Sequence, residues 1–153
     1  MGQKTHPVGF RLQMNKNWKS TWFTENSFAT ELESDVKIRK YLKARLPNAG
    51  ISKVDISRTS KNITITIHTA RPGIVIGKGG EEVNRLKDEV KQLTNDSSNS
   101  SENSKSVQIN ISEIKRPELD AALVGANIAH QLQKKVSYRR VVSKVIQSTM
   151  RMG

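Results

Sequence analysis

Isoleucine alternates with polar residues at Ile63, Ile65 and Ile67, with Thr64, Thr66 and His68 on the other phase. A period of two is the pattern of a strand with one buried face. The stretch Ile51–Arg58 repeats it more loosely, and Ser60-Lys61-Asn62 between them predicts a hairpin. Upstream, Phe28, Leu32 and Val36 recur at i+4, followed by Tyr41, Leu42 and Leu46. This spacing predicts a helix that starts at Asn26 or Ser27 and ends at Pro47 and Gly50. Its acids (Glu31, Glu33, Asp35) come early and its bases (Lys37, Arg39, Lys40, Lys43, Arg45) late, as the helix dipole favours. Pro72 suits the first position of a short helix, which Gly77-Lys78-Gly79-Gly80 then breaks. A further helix is expected from about Gly80 to Leu93, with Val83, Leu86, Val90 and Leu93 on one face. Val107, Ile109 and Ile111 alternate as a third strand. Pro117-Glu118 opens a helix expected to reach about Val136, with Leu119, Ala122, Leu123, Ala126 and Leu132 inward.

The last stretch, Tyr138–Met152, is amphipathic. At about 100° per residue, Arg140, Lys144 and Arg151 fall within about 40° of one another, while Val141, Val142, Val145, Ile146 and Met150 occupy the opposite arc. Two segments have no period. Residues 1–24 mix Gly, Pro, bases and aromatics and are expected to form an extended arm, partly packed by Phe10, Trp18, Trp22 and Phe23. Residues 94–106 hold six Ser and three Asn in thirteen positions and read as a flexible insertion.

Through residue 114 the order is helix, strand, strand, short helix, Gly-x-x-Gly, helix, strand. That is the order of a type II KH domain, an α+β fold with helices on one face of a three-stranded sheet. The expected organisation is therefore an arm over 1–24, a KH domain over 25–115 containing the insertion at 94–106, and C-terminal helices over 116–153.

The glycine segment carries the chemistry. Glycine lacks Cβ, so its backbone can come close to a phosphate and take positive φ. The helix that follows offers free N–H groups and the positive end of its dipole. Lys78 adds a cation at the tip, and bases can lie beside Ile74, Val75 and Ile76. A KH loop of this kind clamps about four nucleotides of single-stranded RNA. Other glycine motifs fail. A P-loop needs four residues between its glycine and Gly-Lys-Ser/Thr; only three separate Gly73 from Gly77, and Gly79 stands where the hydroxyl belongs. A dinucleotide fingerprint needs a third glycine and a strand leading directly into the loop.

Charge agrees with a polyanion partner. Lys and Arg number 26 against 14 Asp and Glu, a net charge of +12. It is unevenly placed: +4 over 1–24, −4 over 25–35, +7 over 36–61, −1 over 62–120 and +6 over 121–153. With no cysteine, a disulfide framework and a thiolate zinc site are excluded. His6, His68 and His130 stand far apart, so neither a metal nor another cofactor is expected. No apolar run approaches the roughly 20 residues of a membrane span, and Met1-Gly2-Gln3-Lys4 lacks the apolar core of a signal peptide, so a cytosolic protein without a membrane partner is expected. No nucleophile is paired with a base, so neither an enzyme nor a small-molecule substrate is expected.

Several runs together carry a family resemblance. Met1-Gly2-Gln3-Lys4-Thr5-His6-Pro7, Ser20-Thr21-Trp22-Phe23, His68-Thr69-Ala70-Arg71-Pro72-Gly73-Ile74-Val75-Ile76-Gly77-Lys78 and Arg116-Pro117-Glu118-Leu119-Asp120 resemble the S-three family of small-subunit ribosomal proteins, bacterial or organellar in type, across essentially the whole chain except 94–106. The resemblance implies a structural constituent of the small ribosomal subunit that binds its rRNA, meets neighbouring small-subunit proteins and helps line the channel through which mRNA enters. It also implies a second α/β domain, of which the helix at 138–152 would be the beginning. The family's Arg-Arg-x-x-Lys motif, tied to mRNA unwinding, is matched by Arg139 and Arg140; its third basic position falls on Ser143, with Lys144 one residue later. The expected RNA-binding residues are thus Gly77, Lys78, Gly79, Gly80 and Arg71, with Lys4 and Arg11 on the arm and Arg139, Arg140, Lys144 and Arg151 on the last helix. The competing reading is a free KH-type regulator or ribosome assembly factor that binds RNA transiently.

Overall fold

The computed structural model of the chain describes residues 2–95 and 106–153. Helix α1 (Pro7–Phe10) and strand β1 (Ser20–Thr21) belong to the arm, followed by α2 (Phe28–Arg45), the strands β2 (Ile51–Arg58) and β3 (Asn62–Thr69), and α3 (Pro72–Ile76). After a 3-10 turn over Lys78–Gly80 come α4 (Glu81–Asn95) and β4 (Ser106–Glu113). A 3-10 turn at Pro117–Leu119 then leads to α5 (Ala121–Gln133) and α6 (Tyr138–Met152).

The hairpin forms as its alternation predicts. Ile56 pairs with Ile65 and Val54 with Ile67, so their side chains share one face. Thr59 closes the turn, its N–H donating to the Asn62 carbonyl at 2.9 Å. Strand β4 runs parallel to β3, with Ile63, Ile65 and Ile67 opposite Val107, Ile109 and Ile111. A parallel neighbour needs a crossover, and α3 and α4 supply it across one face of the sheet. Ile38, Leu42, Val75, Leu86 and Val90 close down on the isoleucines from that side. Each such buried side chain contributes about 1.5–3 kcal/mol relative to exposure.

Several expectations need correction. The sheet has four strands in the order β1-β2-β3-β4, not three. Ser20 and Thr21 add a parallel edge beside Ile56 and Ser57; two residues are too few to show a period. The arm is not extended throughout, since His6 caps the short helix α1 by accepting from Val8 and Gly9 N–H. Of its aromatics, only Trp22 is packed, while Phe10, Trp18 and Phe23 are exposed. The helix expected from Asn26 or Ser27 forms as α2; its buried side carries Ser34, Asp35, Ile38 and Leu42, with Phe28, Leu32 and Val36 exposed.

The C-terminal helix does not begin at Pro117. Asp120 is the cap of α5, its Oδ1 accepting from Ala122 N–H at 3.0 Å and Leu123 N–H at 3.2 Å. Of the five residues expected inward, Leu123 is buried, while Leu119, Ala122, Ala126 and Leu132 are exposed. In α6 Val141 is buried and Val145 half-buried, while Val142, Ile146 and Met150 of the apolar arc are exposed. Of the expected insertion, Thr94 and Asn95 continue α4 and Ser106 begins β4; residues 96–105 lie outside the described residues.

Candidate nucleic-acid interface

The site begins at the end of β3. Thr69, fully buried, donates its hydroxyl to the Ala49 carbonyl at 2.6 Å and accepts from Arg71 N–H at 3.1 Å. This fixes the direction in which the chain leaves the sheet. Arg71 is the residue before the helix, Pro72 opens α3, and Gly77 N–H closes it on the Gly73 carbonyl at 3.0 Å. One turn of helix buries Val75 and leaves Ile74 and Ile76 each 41% exposed, so two apolar side chains flank the approach to the loop.

The glycines divide the work. Gly77 sits at φ 71°, ψ −178°, a region essentially restricted to glycine. A Cβ there would lie 2.6 Å from Cγ and 2.8 Å from Cβ of Glu82. Gly79 (φ 62°) and Gly80 (φ 82°) also have positive φ, but nothing lies within 4 Å of where their Cβ atoms would be. Gly77 is therefore a packing requirement, while Gly79 and Gly80 leave open space beside exposed Lys78. An incoming phosphate can reach the backbone there.

Electrostatics around the loop are mixed. The first turn of α4 is Glu81-Glu82, which offsets the positive end of the helix dipole. Arg85 reaches Glu81 at 3.8 Å and Glu82 at 3.6 Å, and Arg45 of α2 reaches Glu82 at 3.5 Å and Glu89 at 3.7 Å. The Tyr41 hydroxyl donates to Glu89, and burial together with that carboxylate pushes the phenol up from its ordinary value. Arg45, Arg85 and Glu82 are not among the RNA-binding residues that the sequence suggests. The spacing Glu81/Glu82 to Arg85 was readable as helical pairing; the partnership of Arg45 with Glu82 is long-range and was not.

Cations counted together in the sequence separate in space. Arg58 is not available to RNA: its side chain is 5% exposed and donates to Glu31, Ser34 and Asp35. Arg39 is turned to the Lys19 carbonyl at 2.8 Å and the Ser20 hydroxyl. Of the arm residues, Lys4 is exposed and Arg11 folds back onto the Pro7 carbonyl at 2.9 Å. On α6, Arg140, Lys144 and Arg151 are exposed, and Arg139 lies over the Tyr138 ring at 5.8 Å with its Nε donating to the phenol oxygen. Arg71 lines a groove of about 510 Å³ together with Val145, Ser148 and Thr149 of α6; the α6 cations are not part of its lining. Among the described residues no hydrogen bond or ion pair joins Lys4 or Arg11 to the loop. No group of three or more His, Cys, Asp or Glu among them could hold a metal, and no helix is long and apolar enough to cross a membrane.

Residues 37–119 match a family model described as the KH domain. Over 153 residues, all of this chain, small ribosomal subunit protein uS3 of Cytophaga hutchinsonii is 53% identical, that of Salinibacter ruber 50% and that of Parabacteroides distasonis 52%. These alignments cover 57%, 61% and 59% of the respective relatives, so the chain spans about three fifths of the length of the curated proteins it matches.

Proposed function

The chain belongs to the KH domain family and is similar along its whole length to uS3 proteins, and from that premise we propose that it is a structural, non-enzymatic constituent of the small ribosomal subunit that binds small-subunit rRNA. The observation that carries RNA binding is the open loop at Gly77–Gly80. Lys78 is exposed, Gly79 and Gly80 have free space on their Cβ side, and Ile74 and Ile76 stand exposed beside them. Phosphate meets backbone N–H groups and the Lys78 ammonium, while bases rest on the isoleucines. Binding here is modest in strength, because Glu81 and Glu82 oppose the anion and Arg85 and Arg45 only offset them.

A second basic region extends this reading. Arg139, Arg140, Lys144 and Arg151 project from α6 and, with Arg71, Lys4 and Arg11, supply the wider surface for rRNA. In this proposal the α6 cations also meet mRNA at the channel through which it enters. Capture of single strands by fixed charge needs no chemistry from the protein, and the ribosome supplies the movement. The partners are rRNA, mRNA and neighbouring small-subunit proteins, and the location is the ribosome.

Two experiments test it. Changing Lys78 and Gly79 together to Asp should weaken binding to single-stranded RNA about tenfold or more. Asp tolerates the left-handed conformation of Gly79 better than most residues, so the circular dichroism spectrum should stay native. Unchanged affinity with a native spectrum would remove the loop from the interface. In high salt, the chain should co-sediment with small subunits; a chain that stays at the top of the gradient is a free KH regulator or assembly factor instead.

A further inference from the structure

The space that Gly77 leaves open is filled by a side chain that another helix holds. Cβ and Cγ of Glu82 stand where a side chain at Gly77 would be, so the stem of this acid lies directly against the glycine loop. Its carboxylate meets two guanidinium groups, one on each oxygen. Arg45 Nη2 is 3.5 Å from Oε2, and Arg85 Nη1 is 3.6 Å from Oε1. Arg85 belongs to α4 itself and divides its charge between Glu82 and Glu81. Arg45 is the last residue of α2. Among the described residues it is the only ion-pair partner of Glu82 from another element.

Arg45 is fixed in turn. Its Nε is 3.7 Å from Glu89 Oε2, and the same oxygen accepts from the Tyr41 hydroxyl. Glu82 and Glu89 lie two turns apart on one face of α4, so a single guanidinium bridges both. Tyr41 packs against the core. A continuous path thus runs from the core through Tyr41, Glu89 and Arg45 to the acid beside the loop.

A half-exposed ion pair contributes little by itself. This one matters through what Glu82 would otherwise do. Lys78 precedes Glu82 by four positions, the spacing at which opposite charges on a helix meet. Yet among the described residues Lys78 makes no ion pair, because the Glu82 carboxylate is turned to the two arginines. We propose that Arg45 is a positioning residue for RNA binding: it holds the Glu82 carboxylate away from Lys78 and so leaves the lysine free for phosphate. Arg45 touches no RNA in this account. The proposal rests on the RNA reading of the Gly77–Gly80 loop and adds the group that keeps its one cation available.

The test measures binding of the full chain to a single-stranded oligouridylate. Arg45→Ala should weaken it about two- to fivefold. Glu82→Gln should bind at least as tightly as the parent, since its amide cannot neutralise Lys78. Adding Arg45→Ala to Glu82→Gln should then cost nothing further. Parent-like affinity in Arg45→Ala overturns the proposal. So does an equal loss in the Glu82→Gln background, which would make Arg45 an RNA contact, and so does weaker binding by Glu82→Gln alone, which would make the pair a matter of loop shape. Arg45 is outside the core, and circular dichroism checks that Arg45→Ala keeps its fold. Should it not, Arg45→Lys, which cannot bridge both carboxylates, replaces it with the same direction expected. The Lys78 and Gly79 double change to Asp is measured alongside. If it too binds like the parent, the loop reading falls and this proposal with it; if it loses affinity while Arg45→Ala does not, only this proposal falls.

Discussion

Gly77 and Gly79 show how differently two glycines of one loop can be required. At Gly77 both the backbone angles and the space exclude a side chain, because a Cβ would lie 2.6 Å from Cγ of Glu82. Gly77→Ala should therefore destabilise the protein by about 1–3 kcal/mol in urea unfolding. Gly79→Asn, with positive φ but open surroundings, should stay within about 1 kcal/mol of the parent. Equal losses for the two variants would mean that strain, not the Glu82 contact, dominates at Gly77. Glu81 acts on function instead. It is exposed in the first turn of α4, next to the loop proposed to bind RNA, so Glu81→Gln should tighten RNA binding about two- to fivefold, an effect that fades as salt rises. The need for glycine at 77–80 was legible in the sequence. The division between packing and access was not, because it depends on where Glu82 comes to rest.

Helix α2 turns polar residues inward. Phe28, Leu32 and Val36 repeat at i+4 on its exposed side, while Ser34 and Asp35 are the buried positions of that stretch. A carboxylate goes inside only when partners meet it, and Arg58 of β2 together with Ser20 and Trp22 of the arm does so from two separate segments. No local pattern announces that. Asp35→Ala would leave the Arg58 charge buried with Glu31 alone, and a loss of about 3–5 kcal/mol is expected. Trp22 fluorescence should shift in the same variant as the arm detaches; an unshifted spectrum would mean the arm is held by β1 alone. Helix α5 depends on Asp120, which also accepts from Ser52 Oγ of β2 at 2.7 Å. Burial pushes that carboxyl up, but hydrogen bonds from Ser52, Leu123 N–H and Ala122 N–H outweigh it and hold it below its ordinary value. A depressed carboxyl stabilises above the unfolded value near 3.8 and loses that contribution as pH falls through the folded value. The helical signal of 121–133 should thus weaken on acidification below about pH 4, and Asp120→Ala should abolish that step at a cost of about 1 kcal/mol.

At the scale of the molecule, the charge blocks of the sequence translate only in part into surface. Arg39 and Arg58 are occupied within the fold, which leaves Lys78 and the α6 cations as the RNA contacts of the proposed function. Replacing Arg139, Arg140 and Lys144 with Ala should flatten the salt dependence of single-strand binding by about 0.7 in slope per lost contact. An unaltered slope would turn that stripe away from RNA. The hairpin, the short helix, the glycine break and the strand at Val107–Ile111 were all readable, because period and punctuation are local. The two-residue β1 and the exposed side of α5 were not, because they depend on which neighbours cover them. The parallel pairing of β3 with β4 has a consequence for how the chain folds. The β2–β3 turn closes across three positions, Thr59 to Asn62, whereas Asn62 and Ser106 meet across 44. Closing the longer loop costs more chain entropy and delays the strand that completes the sheet. During synthesis the hairpin and α2 can assemble while β4 is still unmade. The crossover helices that frame the glycine loop gain their last support only when β4 docks, so the loop proposed to bind RNA takes its shape late and at one step, when the final strand is in place.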